Sequence, residues 1–404
     1  MLVLRLAWRN AWRSPRRTGI LVTAVAVGIS GTLLTMALNF GLIFQMVDTA
    51  IATELGHIQI HAAGFDANPE LSVGLADGGR EAIEVLREAD GVRAFSRRVR
   101  GEGLVSSPRS SAGVRVVGIE PELEAKITLV AASVTAGAYL DGTRRRLLMG
   151  EHLARRLEVG VGDKVVLSVQ NLEGDLSGEA LRVGGLFRTT SRPLDSGVVF
   201  VSLDESQALL GLDDTVTEVV AVASTRAGVP ALRQRIEQRL AGAEVRSWDQ
   251  LQPVLVYIVD VFDQSALLIY AAVFVAMAFG IANVLLMTIY ERTREIGIMT
   301  AIGLSRWRLV ATIVSEALVV TLAGLLVGFG VALLAVWGLR DGIDLAGFAD
   351  GLEAFGVGSR IVPVLRQSDF TAPLLVALVT AVLASAWPAW RAVRLRPAEA
   401  VRHT

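Results

Sequence analysis

The sequence predicts a membrane protein with four transmembrane helices and a large α+β extracytoplasmic domain of two subdomains between the first two helices. Three observations lead there. Hydrophobic residues make up 52% of the 404 and charged residues only 20%, below the roughly 25% usual in soluble domains, and the mean hydropathy is +0.51. The apolar residues gather in four runs with almost no charge, each longer than the ~20 residues a helix needs to cross a ~30 Å hydrocarbon core. The remaining charges segregate by sign between the intervening segments.

Composition removes several function classes. There is no cysteine, which excludes a disulfide scaffold, a thiol nucleophile and every cysteine-based metal site. Four histidines leave little room for a histidine-rich metal centre. The only lysines, Lys126 and Lys164, follow Ala125 and Asp163, whereas a phosphate-binding P-loop needs glycine before its lysine. No cofactor is expected on this chain, and any ATP would be hydrolysed by another polypeptide. Nucleic acid is not expected as a partner.

In chain order, residues 1–17 form a basic N-terminus and 18–47 the first transmembrane helix. At about 30 residues this run spans roughly 45 Å, enough to project from the bilayer as a stalk. It is twice the length of a signal peptide's apolar region and reads as a retained anchor. Residues 48–263 form the α+β domain, with a second subdomain at 137–222 inserted into the first. Residues 264–290, 309–339 and 370–390 are the remaining spans, joined by 291–308 and 340–369 and followed by a tail, 391–404. Segments 1–17, 291–308 and 391–404 hold 13 basic residues against 3 acidic, while 48–263 holds 23 against 31. Arginine marks the cytoplasmic side, so both termini are expected there and the large domain outside.

Within 48–263, alternation and turn residues predict strands at 57–61, 92–105, 114–119, 164–170, 180–187, 198–201, 216–223 and 244–246. Helices are expected at 77–88, capped by Asp77, and at 147–157, 204–210 and 229–240. His57 and His61 fall on one face of a strand about 13 Å apart, too far to share a metal, and read as solvent-exposed. The acidic pairs Asp204-Glu205 and Asp213-Asp214 read as solvated surface.

Three features of the membrane part stand out. Glu316 lies inside the third run. An ionisable group there is a functional candidate, unless it sits at headgroup level and pairs with Arg306 or Arg308. Gly324 and Gly328 form a small-xxx-small pair that lets helix backbones approach. In 291–303, charges crowd the first five positions, and Ile296, Met299 and Ile302 then recur at helical spacing. The result is a short amphipathic helix, fit either to lie on lipid or to dock into a partner.

The run Glu291-Arg292-Thr293-Arg294-Glu295-Ile296-Gly297, followed by Ala301-Ile302-Gly303, resembles the hallmark of the MacB/FtsX-like ABC permeases. So do Pro388-Ala389-Trp390-Arg391-Ala392 with Pro397-Ala398-Glu399-Ala400-Val401-Arg402, the opening Leu6-Ala7-Trp8-Arg9-Asn10, and Met149-Gly150-Glu151 with Gly160-Val161-Gly162-Asp163-Lys164-Val165. The resemblance covers nearly the whole chain. It implies a MacB-like periplasmic domain, a dimer with a second permease copy or a paralogue, and two copies of a separate ABC ATPase subunit carrying ATP and Mg. Glu291, Arg292, Arg294, Glu295, Ile296, Gly297, Ile298, Met299, Ile302 and Gly303 would form the coupling helix seated in the ATPase. ATP-driven closure would then reach the outer domains through the stalks, a process called mechanotransmission. The layout is most similar to the lipoprotein-releasing permeases LolC and LolE of the inner membrane. A lipoprotein or other lipidated substrate is therefore the expected cargo, drawn from membrane lipid into a cavity lined by Phe40, Phe44, Met46, Ile258, Val261 and Phe262. The alternatives are MacB-like efflux with a periplasmic adaptor and outer-membrane duct, and an FtsX-like scaffold that activates a cell-wall hydrolase.

Overall fold

In hydrocarbon no water is available to satisfy backbone groups, so each apolar run must close its hydrogen bonds internally as a helix. The computed structural model describes residues 7–10, 12–65, 74–75 and 77–394. Arg5, Leu6 and the tail motif at 397–402 lie outside them. Two compact units result. One comprises residues through Ile43, Ile258–Asp344 and from Arg360 onward, and the other Phe44–Tyr257 with Leu345–Ser359.

Among the described residues, the membrane unit holds four helices long and apolar enough to cross a bilayer. The first, Pro15–Ala50, opens on a proline, which needs no hydrogen-bonded N–H at that point, and ends in a π-turn, Ile51–Leu55. The second, Pro253–Glu291, begins well before the expected 264, because residues 253–263 continue it as a stalk. The third is Arg306–Gly338 and the fourth Ser368–Val393, with Pro373 and Pro388 inside it. Leu21, Val25 and Ile29 of the first helix share one core with Phe274 and Ile281 of the second, Ile313 of the third and Ala377 of the fourth.

Among the described residues the α+β unit contains ten strands: β1 (Ile58–Ala62), β2 (Val92–Ser106), β3 (Ser111–Ile119), β4 (Val134–Gly137), β5 (Arg146–Gly150), β6 (Lys164–Gln170), β7 (Leu176–Phe187), β8 (Val198–Ser202), β9 (Glu218–Ala223) and β10 (Ala243–Ser247). Two motifs share β2. Its first half pairs with β9, giving the order β10-β1-β9-β2. Helices Arg80–Glu88 and Val229–Arg239 connect β1 to β2 and β9 to β10, which is the split βαβ arrangement. The second half of β2 pairs with β3 and β6, and the path β2-β3-β8-β5-β7-β6 returns to β2. It is a closed six-stranded circuit.

This topology corrects two expectations. The inserted part is β3 to β8, Ser111 to Ser202, so it begins before residue 137, and the expected limit at 222 runs into β9 of the other motif. Residues 147–157 are not one helix: β5 precedes a helix at Glu151–Leu157. Leu147 and Met149 point into one core and Leu148 into another. A strand buried on both faces reads as a continuous apolar run, and periodicity cannot distinguish that from a helix. The helix expected from Asp77 begins at Arg80 with Gly79 as its N-cap; Asp77 lies in the turn before it and accepts hydrogen bonds from the N–H groups of Gly79 and Glu81 at 2.9 and 3.0 Å. The segment expected as a loop, 340–369, pairs Ile343–Asp344 with Arg360–Ile361 in the membrane unit. Its middle joins the α+β unit, where Glu353 meets Arg188 at 3.6 Å.

Candidate coupling site

The segment between the second and third spans folds as a helix over Thr293–Ala301. It stops because Gly303 adopts φ +101°, a conformation open to glycine and costly for other residues. Its apolar residues divide. Ile296 is 5% exposed and Gly297 is buried, both turned into the bundle, while Ile302 is 82% exposed and Ile298 and Met299 are also exposed. This corrects the expectation of one outward stripe of Ile296, Met299 and Ile302. Ile296 is a bundle residue, and the outward apolar surface is Ile298, Met299 and Ile302.

The charges of this segment are largely engaged within the chain. Arg13 reaches Glu295 at 2.8 Å, and Arg17 pairs with Glu291 through two hydrogen bonds. Arg294 is exposed. Arg292 lies 3.8 Å from Glu295 and 3.6 Å from Glu316. Glu316 therefore pairs across to the loop, not along its own helix with Arg306 or Arg308. The short helix is thus held on one side by the N-terminal arginines and on the other by the third span.

Gly324 and Gly328 supply the close helix contact. A Cβ at Gly324 would come within 2.6 Å of Val25 Cβ, and one at Gly328 within 2.9 Å of the Ala26 carbonyl oxygen. The third span packs at this point directly on the backbone of the first.

Six positions were expected to line a substrate cavity. In the membrane unit, Phe40 is buried with the Arg366 guanidinium 3.3 Å from its ring centroid, Ile258 and Phe262 are half-buried, and Val261 is exposed. In the α+β unit, Met46 is buried and Phe44 is half-buried, its ring facing Arg226, which also stacks on Trp248 and pairs with Asp48.

The α+β unit holds a buried ionic cluster that sequence reasoning missed. Arg98 of β2 grips Glu124 in a bidentate pair, at 2.6 and 3.1 Å, and meets Glu218 of β9 at 3.3 Å. The same guanidinium donates to the Glu54 carbonyl, in the turn that ends the first long helix, at 2.5 Å. Arg100 reaches Glu218 at 3.0 Å, and Arg115 pairs with the Glu54 carboxylate. Burial opposes both charges. Even so, Arg100 and Arg98 hold the Glu218 carboxyl below its usual range, and Glu124 with Glu218 holds Arg98 above its own. One signal was available: Glu218 is a lone acid in an otherwise apolar strand.

Two surface readings are also corrected. His61 is buried, stacked on Phe65, bonded to Gln59 at 3.0 Å, and 3.2 Å from the Thr217 carbonyl; His57 precedes the strand and is half-buried. Glu205 is buried and accepts the Arg145 N–H at 2.9 Å, whereas Asp204, Asp213 and Asp214 are exposed.

Asp195 gives a pH prediction. It is buried and accepts from the Thr189 N–H and hydroxyl at 2.9 and 2.7 Å. Burial nevertheless pushes its carboxyl up to about 6 from 3.8. Because the folded value is the higher one, the stabilisation is complete below about pH 4 and lost as pH rises through about 6, amounting to about 3 kcal/mol at most. Asp195→Asn is expected to flatten the change in melting temperature between pH 4.5 and 7.5. An unchanged difference in the variant would refute the assignment.

Four membrane helices, a short helix between the second and third, and an α+β domain between the first and second define the class, a multi-pass permease of an ABC transporter. The MacB-like periplasmic core domain matches residues 18–239 and the FtsX-like permease C-terminal matches 267–397; the chain belongs to this family. The lipoprotein-releasing system transmembrane protein LolC of Xylella fastidiosa is 22% identical over 97% of this chain and 96% of its own length. The macrolide export ATP-binding/permease protein MacB of Nitrobacter winogradskyi is 25% identical over 96% of this chain and 58% of its own length. Among solved structures, the periplasmic region of MacB from Actinobacillus actinomycetemcomitans covers 52% of this chain and 97% of its own at 10% identity, with a TM-score of 0.37.

Proposed function

We propose that this chain is the permease subunit of a dimeric inner-membrane transporter that draws lipoproteins, or another lipidated substrate, from the membrane by mechanotransmission. A separate ATPase would supply the energy, with ATP and Mg bound there. Both termini and the short helix would face the cytoplasm and the α+β unit the periplasm, following the arginine distribution. End-to-end similarity to LolC supports the lipoprotein reading. Val261 is the expected cavity residue most open to an acyl chain. The MacB match favours a second reading, export of a small molecule.

One observation carries the coupling role: the short helix is fastened to the chain by its charges while it presents Ile298, Met299 and Ile302 outward. Docking those side chains into a groove would bury apolar area worth about 2 kcal/mol for each residue fully covered. Ile302→Asp with Met299→Asp is expected to abolish co-purification of the ATPase and leave membrane insertion intact. Retention of the ATPase at the wild-type level would show that this helix is not the docking element. Ile296→Asp would instead disturb the bundle. Cross-linking in native membranes tests the cargo: acylated lipoproteins support extraction, and an adaptor with an outer-membrane duct supports export.

A further inference from the structure

The end of the membrane unit that carries the short helix encloses a cavity of about 370 Å³. Its walls divide by chemistry. Leu285 and Ile289 of the second span and Leu309 and Ile313 of the third span form an apolar side. Four arginines and two glutamates form the other. Arg13 is matched by Glu295 at 2.8 Å and Arg292 by Glu316 at 3.6 Å. Arg9 and Arg308 line the same cavity, and neither has an ionic partner among the described residues. Among the described residues, two positive charges are therefore uncompensated beside an apolar wall.

Arginine and tryptophan at this end suit lipid-headgroup depth. Arg308 stands in the first turn of the third span, immediately before its apolar run. Trp8 and Trp12 stand edge to face with ring centroids 5.8 Å apart on either side of Arg9 in sequence, and Trp307 adjoins Arg308; all three are exposed, and tryptophan concentrates at membrane–water interfaces. A basic pocket between membrane helices at this level suits an acidic headgroup. The apolar wall suits the first methylenes of an acyl chain.

We propose that this cavity binds one anionic phospholipid. Its phosphate would lie on Arg9 and Arg308 and its chain along Leu309 and Ile313. The lipid would complete the charge balance and join the N-terminal segment to the third span around the short helix. A free phosphate shares the headgroup chemistry but gains nothing from the apolar wall.

The test uses the full chain purified in detergent and native mass spectrometry. Phosphatidylglycerol and phosphatidylcholine with identical chains are offered together. Two uncompensated arginines predict about a 30-fold preference for phosphatidylglycerol. The preference should vanish in Arg9→Gln/Arg308→Gln, persist in Arg9→Lys/Arg308→Lys, and persist in Arg340→Gln, which removes a cation stacked on Trp337 past the other end of the third span. The lysine pair keeps the experiment decisive if the glutamine pair folds poorly. Equal retention of both lipids, or a preference that survives the glutamine pair, would overturn the proposal. So would displacement of the bound lipid by millimolar inorganic phosphate, which would mark a free-anion site. Loss of the lipid when the ATPase binds would overturn it too, because the cavity would then belong to the protein partner.

Discussion

Arg98→Met is expected to destabilise the α+β unit by about 3–5 kcal/mol, the cost of removing one partner from a buried ion pair. Arg98 is 2% exposed and is the only cation bound to Glu124 among the described residues; Glu124 has no exposure at all. Methionine fills much of the volume but leaves the Glu124 carboxylate without its countercharge. Glu218 keeps Arg100. The loss thus comes from stranded charge and not from a cavity. Replacing the acids as well, in Arg98→Met/Glu124→Gln/Glu218→Gln, should recover part of the stability, because neither buried carboxylate then carries a desolvation cost, while Arg100 keeps Glu54 at 3.6 Å. Thermal unfolding of the full chain compares the two variants. If the single variant melts with the wild type, or the triple variant is worse than the single, the cluster is not an electrostatic unit. Arg98 also binds the Glu54 carbonyl, and Glu54 ends the first long helix. Under the proposed function, the triple variant should keep ATP turnover by the partner and lose substrate release, since the fold survives without this fastening.

What could be read from the sequence depended on whether the signal was local. The four spans were legible because an uncharged apolar run of such length has few alternatives. Their limits shifted where helix continued through charge: the second span was expected to begin at 264, just past Asp260 and Asp263, yet both lie within Pro253–Glu291. The short helix was legible from periodicity, but its facing was not. Ile296 and Ile302 are equally apolar, and the choice between bundle and surface was made by Arg13 and Arg17, nearly three hundred residues away in sequence. The closed strand circuit was illegible for a similar reason. Nothing in residues 92–106 says that β2 changes partners from β9 to β6 midway. Arg98 and Glu218 are 120 residues apart. The lone acid in β9 could signal a buried countercharge, but not which arginine supplies it.

Gly328→Leu is expected to separate the first and third spans and lower the melting temperature of the full chain substantially. Between membrane helices there is no hydrophobic drive to association, because lipid chains are as apolar as leucine; close packing of small residues does the work. At Gly328 even a Cβ would stand 2.9 Å from the Ala26 carbonyl oxygen and 3.0 Å from Ile29 Cβ. The first of these is backbone, so no rotamer change can clear it. A whole leucine side chain requires the helices to part, at about 1–3 kcal/mol for overpacking, with the loss of neighbouring contacts in addition. Gly330→Leu is the control, since a Cβ there meets nothing within 4 Å on the same helix. It should melt with the wild type or slightly above it, leucine being about 1 kcal/mol the better helix former. Equal melting of the two variants would mean that the first and third spans do not meet at Gly328. A selective loss in Gly328→Leu would fix the contact through which the span beginning at Arg306, beside the short helix, bears on the long helix that leads to Glu54.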